Sequence, residues 1–133
     1  MSDIDYTAIL PEGWPRARGY SHGVSSTGAR SVHIAGQIGV RDGAPAGGFG
    51  VQFGGALERV VTVMQSAGGK AEHITAMRIY VTSINAYREA GAALGEAWIK
   101  HLGKHFPAMT LVEVSALLNP DALVEIEAEG RLP

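Results

Sequence analysis

Apolar residues recur along this chain with two different periods, and the places where the period changes mark the elements. Phe53, Leu57, Val60, Val61 and Met64 fall at i, i+4, i+7, i+8 and i+11. That spacing draws one helical stripe and predicts a helix over 51–67, stopped by Gly68 and Gly69. A second stripe, Tyr87, Ala90, Gly91, Leu94, Trp98 and Leu102, predicts a helix from an Asn85 N-cap to about Leu102, ended by Gly103. Elsewhere the period is two. "HITAMRIYVT" (73–82), "HFPAMTLVEV" (105–114) and "LVEIEAEGRL" (123–132) predict strands, the last two separated by the turn "LLNPDA". Upstream, the alternating pieces around Tyr20–Val24 and Ser31–Ile38 flank "SSTGAR" and predict a hairpin. Residues 1–19 hold Pro11, Gly13, Pro15 and Gly19 and are expected to be largely irregular, with room for a short edge strand. "RDGAPAGGFG" (41–50) lacks the ending of a phosphate-cradling P-loop and is expected to be a mobile connection.

The order ββαβαββ describes one domain over 1–133 of α+β class. Two amphipathic helices can cover one face of a mixed sheet of roughly four to six strands, and no more. Sorting strand residues by alternation assigns Val32, Ile34, Met77, Ile79, Val81, Val112, Val114, Val124 and Ile126 to the helix side. The opposite set is His33, Ala35, Gln37, Arg78, Tyr80, Met109, Leu111, Glu113, Glu125 and Glu127. That mixture is too apolar for water and too charged for a core, so an interface with another copy of the chain is the expected cover.

Composition narrows the function classes. The absence of cysteine excludes a disulfide framework, a thiolate zinc site and a cysteine nucleophile. The net charge is −2 and the basic residues are scattered, which argues against a nucleic-acid partner. No apolar run approaches the roughly 20 residues that cross a bilayer. The acidic start "MSDIDYTAIL" has no signal-peptide pattern, so no membrane partner and a cytoplasmic location are expected. His101 and His105 have the spacing of a helical metal pair, but Gly103 lies between them and no third ligand is in evidence, so no metal is expected. His33 is assigned to the interface face, and His22 lies near Tyr20.

Four segments, "GYSHGV", "HIAGQIGV", "FPAMTLVEV" and "VEIEAEG", resemble in order and spacing the signature segments of the Rid (reactive intermediate deaminase, YjgF) family, from about Tyr20 to Glu129. The resemblance implies a chorismate-mutase-like fold assembled as a homotrimer, with the sheets forming an inner barrel and ligand clefts at subunit interfaces. It also implies a small-molecule ligand, no cofactor, and hydrolysis of enamines and imines to a keto acid and ammonia. Glu125 matches the family carboxylate credited with activating water. Tyr20 matches the aromatic that lines the cleft, and Gly36 and Gln37 match the family Gly-Gln pair.

Two positions depart from the pattern. Met109 stands in Pro107-Ala108-Met109-Thr110 where the deaminases carry the arginine that forks onto a substrate carboxylate. Ala35 replaces a serine often found before Gly-Gln. Charge-assisted bonds are worth about 1.5–3 kcal/mol each, so loss of the pair weakens carboxylate binding by a factor on the order of 10² to 10⁴. The expected ligand-binding set is Tyr20, Ala35, Gly36, Gln37, Met109, Thr110 and Leu111, with Arg78 as a candidate replacement cation. The alternative for Arg78 is an ion pair with Glu113 or Glu127. Three functions follow: a cofactor-free hydrolase of C=N bonds with altered substrate preference, a non-catalytic trimeric binder of small ligands or interaction protein, and a ribonuclease or translation inhibitor. The acidic balance disfavours the third.

Overall fold

The computed structural model describes residues 4–133; Met1 to Asp3, at the start of the segment expected to be irregular, lie outside the described residues. The strands are β1 (Asp5–Ile9), β2 (Gly23–Thr27), β3 (Arg30–Gln37), β4 (Val40–Arg41), β5 (Ala44–Pro45), β6 (Ile74–Val81), β7 (Ala108–Glu113) and β8 (Val124–Leu132). The helices are α1 (Phe49–Ser66), α2 (Ile84–Ala90) and α3 (Ala92–Leu102). The main sheet is mixed, in the order β3-β8-β6-β7, antiparallel except for the parallel pair β6–β7. A parallel pair needs a crossover, and α2 with α3 supplies it.

The core lies between this sheet and the helices. Phe53, Leu57, Val60 and Met64 of α1 meet Ile34, Met77, Ile79, Val124 and Ile126 of the sheet in one buried cluster. The predicted α1 stripe is buried throughout. Helices α1 and α3 approach closely because Gly50 faces Ala93 and Gly54 faces Ala97, each at 3.6 Å from the position a Cβ would take.

One buried polar side chain ties this layer to a loop. Gln52 is 3% exposed; its Oε1 accepts from the Leu123 N–H at 2.8 Å, and its Nε2 donates to the Gly47 carbonyl at 3.2 Å. Gln52→Leu orphans those groups and is expected to cost about 1–3 kcal/mol. Urea unfolding at unchanged m-value measures it, and a loss within error of zero would show that the loop rearranges at no cost.

Four expectations about the secondary-structure elements are corrected. The predicted second helix is two, because Gly91 takes φ +56° and ψ −125° and breaks it; Gly91 is exposed rather than part of a buried stripe. Ser83, not Asn85, is the N-cap, its hydroxyl accepting from the Ala86 N–H at 3.0 Å. The upstream hairpin does not form: β2 pairs with β1 and β3 pairs with β8, since β3 carries the apolar residues that the main sheet buries while β2 is nearly all small and polar. The short strand expected within 1–19 is β1, and residues 40–45 form a miniature β4–β5 hairpin turning at Asp42 and Gly43 in place of an unstructured connection.

The fourth correction concerns the phase of β7. In the parallel register Met77 faces Met109 and Ile79 faces Leu111, and register partners share a sheet face. Met109 and Leu111 thus pack on the helix side, whereas Val112 is 41% exposed on the open face. Glu113 follows the same phase, and its Oε1 accepts from the Ile84 N–H at 2.9 Å, capping α2. Both faces of β7 are apolar in sequence, so alternation alone has no preferred phase; the parallel partner decides it.

Candidate functional site

The open face of the sheet is built around β8, where Glu125, Glu127 and Glu129 point away from the helices between buried Val124, Ile126 and Ala128. Two of the three glutamates are committed. Arg78 Nε donates to Glu127 Oε2 at 3.1 Å and its Nη2 donates to Glu129 Oε1 at 2.7 Å, while the Tyr80 hydroxyl donates to Glu127 Oε1 at 2.7 Å. Arg78 is therefore not beside Met109 or Glu113, as the alternation suggested; it pairs with Glu127, as the ion-pair reading held, and also with Glu129. These side chains are 34–40% exposed, so solvent screens the pairing and its net worth is modest.

The hydroxyl of Tyr80, and then the guanidinium of Arg78, hold the Glu127 carboxyl below the usual glutamate range. A depressed carboxylate adds stability that is complete above the unfolded value of 4.5 and is lost as pH falls through the lower folded value. Tyr80→Phe is expected to lower the neutral-pH Tm slightly and to flatten its decline below pH 4.5. Thermal melts across that range check it, and an unchanged acid slope would remove Tyr80 as the cause.

Glu125 differs from its neighbours. Among the described residues no donor is assigned to its carboxylate, and it lies across Gly36. A Cβ built at Gly36 would fall 2.8 Å from Glu125 Cγ and Cδ, so any larger residue there would push the Glu125 side chain out of this position. The strand is irregular at this point: the register slips between Ile34 and Gln37, which pairs with buried Ile126. This bulge turns Gln37 off the open face, correcting its assignment, and its Oε1 accepts from Arg59 Nε of α1 at 3.2 Å. Ala35 remains exposed, its carbonyl accepting from Gln37 Nε2 at 3.1 Å. His33 is exposed opposite Glu129, and Thr110 is exposed beside Arg78.

Tyr20 and Met109 lie elsewhere, toward the outer edge of the sheet, each lining one of two neighbouring cavities. The Ser21 N–H donates to the Pro107 carbonyl at 3.0 Å and its Oγ donates to the Phe106 carbonyl at 2.6 Å, which fastens the Tyr20 segment to the entry of β7. Two cavities abut there and share Gly19 and Phe106 as lining residues. The outer, about 380 Å³, is bordered by Tyr20, His22 and Arg16. The inner, about 270 Å³, lies on the helix side against Met109, Phe53, Tyr87, Leu94 and Trp98. Trp98 is fixed by its indole N–H, which donates to the His105 carbonyl at 3.0 Å, and by stacking on Phe106 at 6.1 Å with the rings 6° from parallel. His22 sits edge-on between Trp14 and Tyr20, with Nε2 3.0 Å from the Pro15 carbonyl.

The chain thus places the expected residues in two groups. Glu125, Gly36, Ala35, Arg78 and Thr110 stand on the open face, while Met109 and Leu111 face the helices and Tyr20 flanks the edge cleft. Sequence reasoning missed Arg16, which sits in a segment with no periodicity. It also missed that Tyr87, Leu94 and Trp98, counted as a core stripe, wall a cavity. His105 is engaged with the Ile74 carbonyl at 2.6 Å and packs at a tilt against Tyr6, and no cluster of three metal-ligating side chains occurs among the described residues. No helix among them is long and apolar enough to cross a membrane.

A mixed sheet with helices on one face, a Gly-Gln bulge under a strand glutamate and a Pro-Ala entry to the edge strand define a recognisable class of α+β protein. The chain matches the family model described as Endoribonuclease L-PSP over residues 14–130. It belongs to that family, the YjgF/Rid family. Among solved structures, it resembles the Rid-family protein YyfB from Yersinia pestis, at 29% identity and a TM-score of 0.82, covering 96% of this chain and 98% of that one. Rv2704 of Mycobacterium tuberculosis, a YjgF-family member, is 35% identical over 85% of this chain and 86% of its own, with a TM-score of 0.63. TdcF of E. coli, solved with bound serine, is 26% identical over 94% and 98%, with a TM-score of 0.68.

Proposed function

We propose that this protein hydrolyses the C=N bond of small reactive imines and enamines in the cytoplasm, releasing ammonia, with Glu125 as the general base. The observation that carries this reading is the contrast along β8: Glu127 and Glu129 are tied by Arg78 and Tyr80, while the Glu125 carboxylate has no assigned donor. Glu125 and Met109 lie on opposite faces of one sheet, so a single chain cannot present both to one ligand. A second copy can, and the reading therefore includes a homotrimer with the open faces inward and sites between subunits.

The chemistry is short. Water adds to the carbon of a protonated imine as its proton passes to Glu125, giving a carbinolamine. Glu125 returns the proton to nitrogen, the C–N bond breaks as the hydroxyl proton passes to the departing ammonia, and a carbonyl compound and ammonium leave. The bound serine in the structure of TdcF supports a small amino- or imino-acid class of ligand. The uncharged lining around Met109 favours a second reading, a trimeric binder that turns nothing over.

Two measurements test the proposal. Sedimentation should give three times the 14.0 kDa chain mass, and ammonia release from freshly generated 2-imino acids should exceed the spontaneous rate. A monomer, or release at the spontaneous rate for short and bulky imines alike, would overturn the hydrolase.

A further inference from the structure

The two abutting cavities differ in character, and the difference specifies what fills them. Around Met109 the inner lobe has no formally charged lining residue, and its one indole N–H is already spent on the His105 carbonyl. A carboxylate driven into that lobe would lose its water and gain no cation, with the Tyr87 hydroxyl as the one side-chain O–H in the lining, so burial there is costly. Aromatic rings and a polarizable thioether instead favour a ring or branched alkyl group. The outer lobe holds one permanent charge, Arg16, and no carboxylate among the described residues pairs with it. The nearby His22 has its Nε2 held at 3.0 Å by the Pro15 carbonyl. Gly19 and Phe106 line both lobes, so one molecule can lie across them.

We infer that the cleft takes a carboxylate with a bulky apolar or aromatic body, its body against Met109 and its carboxylate read by Arg16. Arg16 is then the specificity-determining cation that position 109 does not supply, reaching the ligand from the irregular N-terminal segment. Its guanidinium can offer two parallel N–H donors to a carboxylate, a geometry that lysine lacks. The inference names the ligand class of the site proposed above and rests on that reading for the cleft's role, but its test needs no turnover. A two-carbon or three-carbon imino acid is too short to occupy both lobes; imino acids with large apolar side chains are the substrates that fit.

The test is calorimetric titration of the full chain with 3-phenylpropionate, its neutral amide and propionate, with Trp98 fluorescence as a second readout. The acid is expected to bind about tenfold tighter than the amide, and propionate not to saturate. Arg16→Gln should abolish the acid-over-amide preference and leave the amide unchanged. Gly95→Leu should weaken both aromatic ligands about tenfold, because a side chain there enters the inner lobe. The fold should tolerate it, since space is open at Gly95 and leucine is the better helix former. Equal affinity for acid and amide, a preference that survives Arg16→Gln, a silent Gly95→Leu, or no saturable binding of either aromatic would each overturn the inference. Tight, Arg16-dependent binding without ammonia release would instead refute only the hydrolase, and release without acid preference would refute only the role of Arg16.

Discussion

Glu125→Gln is expected to lower the rate of imine hydrolysis by about 10²- to 10⁴-fold, the usual contribution of a positioned general base. The amide keeps the volume of the side chain and the space above Gly36, so ligand affinity and Tm should stay near those of the parent. Stopped assays on a freshly generated imino acid give the rate, and titration with a non-reactive carboxylate gives the affinity. A fall in affinity as large as the fall in rate would mean that Glu125 binds rather than catalyses. Gly36→Ala supplies the control from the other side: its Cβ collides with the Glu125 carboxyl, so it should lose rate without removing any functional group.

Met109→Arg is the complementary gain. A guanidinium in the inner lobe supplies the fork for a short 2-imino acid, and affinity for propionate should rise on the order of 10²-fold. The same charge spoils the apolar seat, so 3-phenylpropionate should bind less tightly than before. If propionate still fails to saturate, the absence of arginine at 109 is not what restricts the ligand.

The parts of the fold that were legible in sequence are those where burial imposes one period. The α1 stripe and the alternation of β8 could be read directly because one face of each is apolar and the other is not. Strand β7 offered apolar residues at both phases, so its orientation was set only by its parallel register with β6, a tertiary fact. The bulge that turns Gln37 toward Arg59 was equally invisible, since an inserted residue leaves no trace in composition. Consequently Met109 and Gln37 were read onto the face of Glu125, and the candidate site looked like one surface when it is two. Arg16 lay in a segment with no pattern, so nothing but proximity in three dimensions could single it out.

The short helix α2 has one further consequence. It carries Tyr87 to the wall of the Met109 cavity, yet none of its own residues is fully buried; it is held by the Ser83 cap, the Glu113 carboxylate, and the packing of Tyr87 on Phe49 and Phe53 and of Ile84 on the core. Replacements along it can reshape what the protein accepts while sparing the interior on which folding depends. Diversification of ligand preference among descendants of this sequence is therefore open to single steps that do not have to cross a stability threshold.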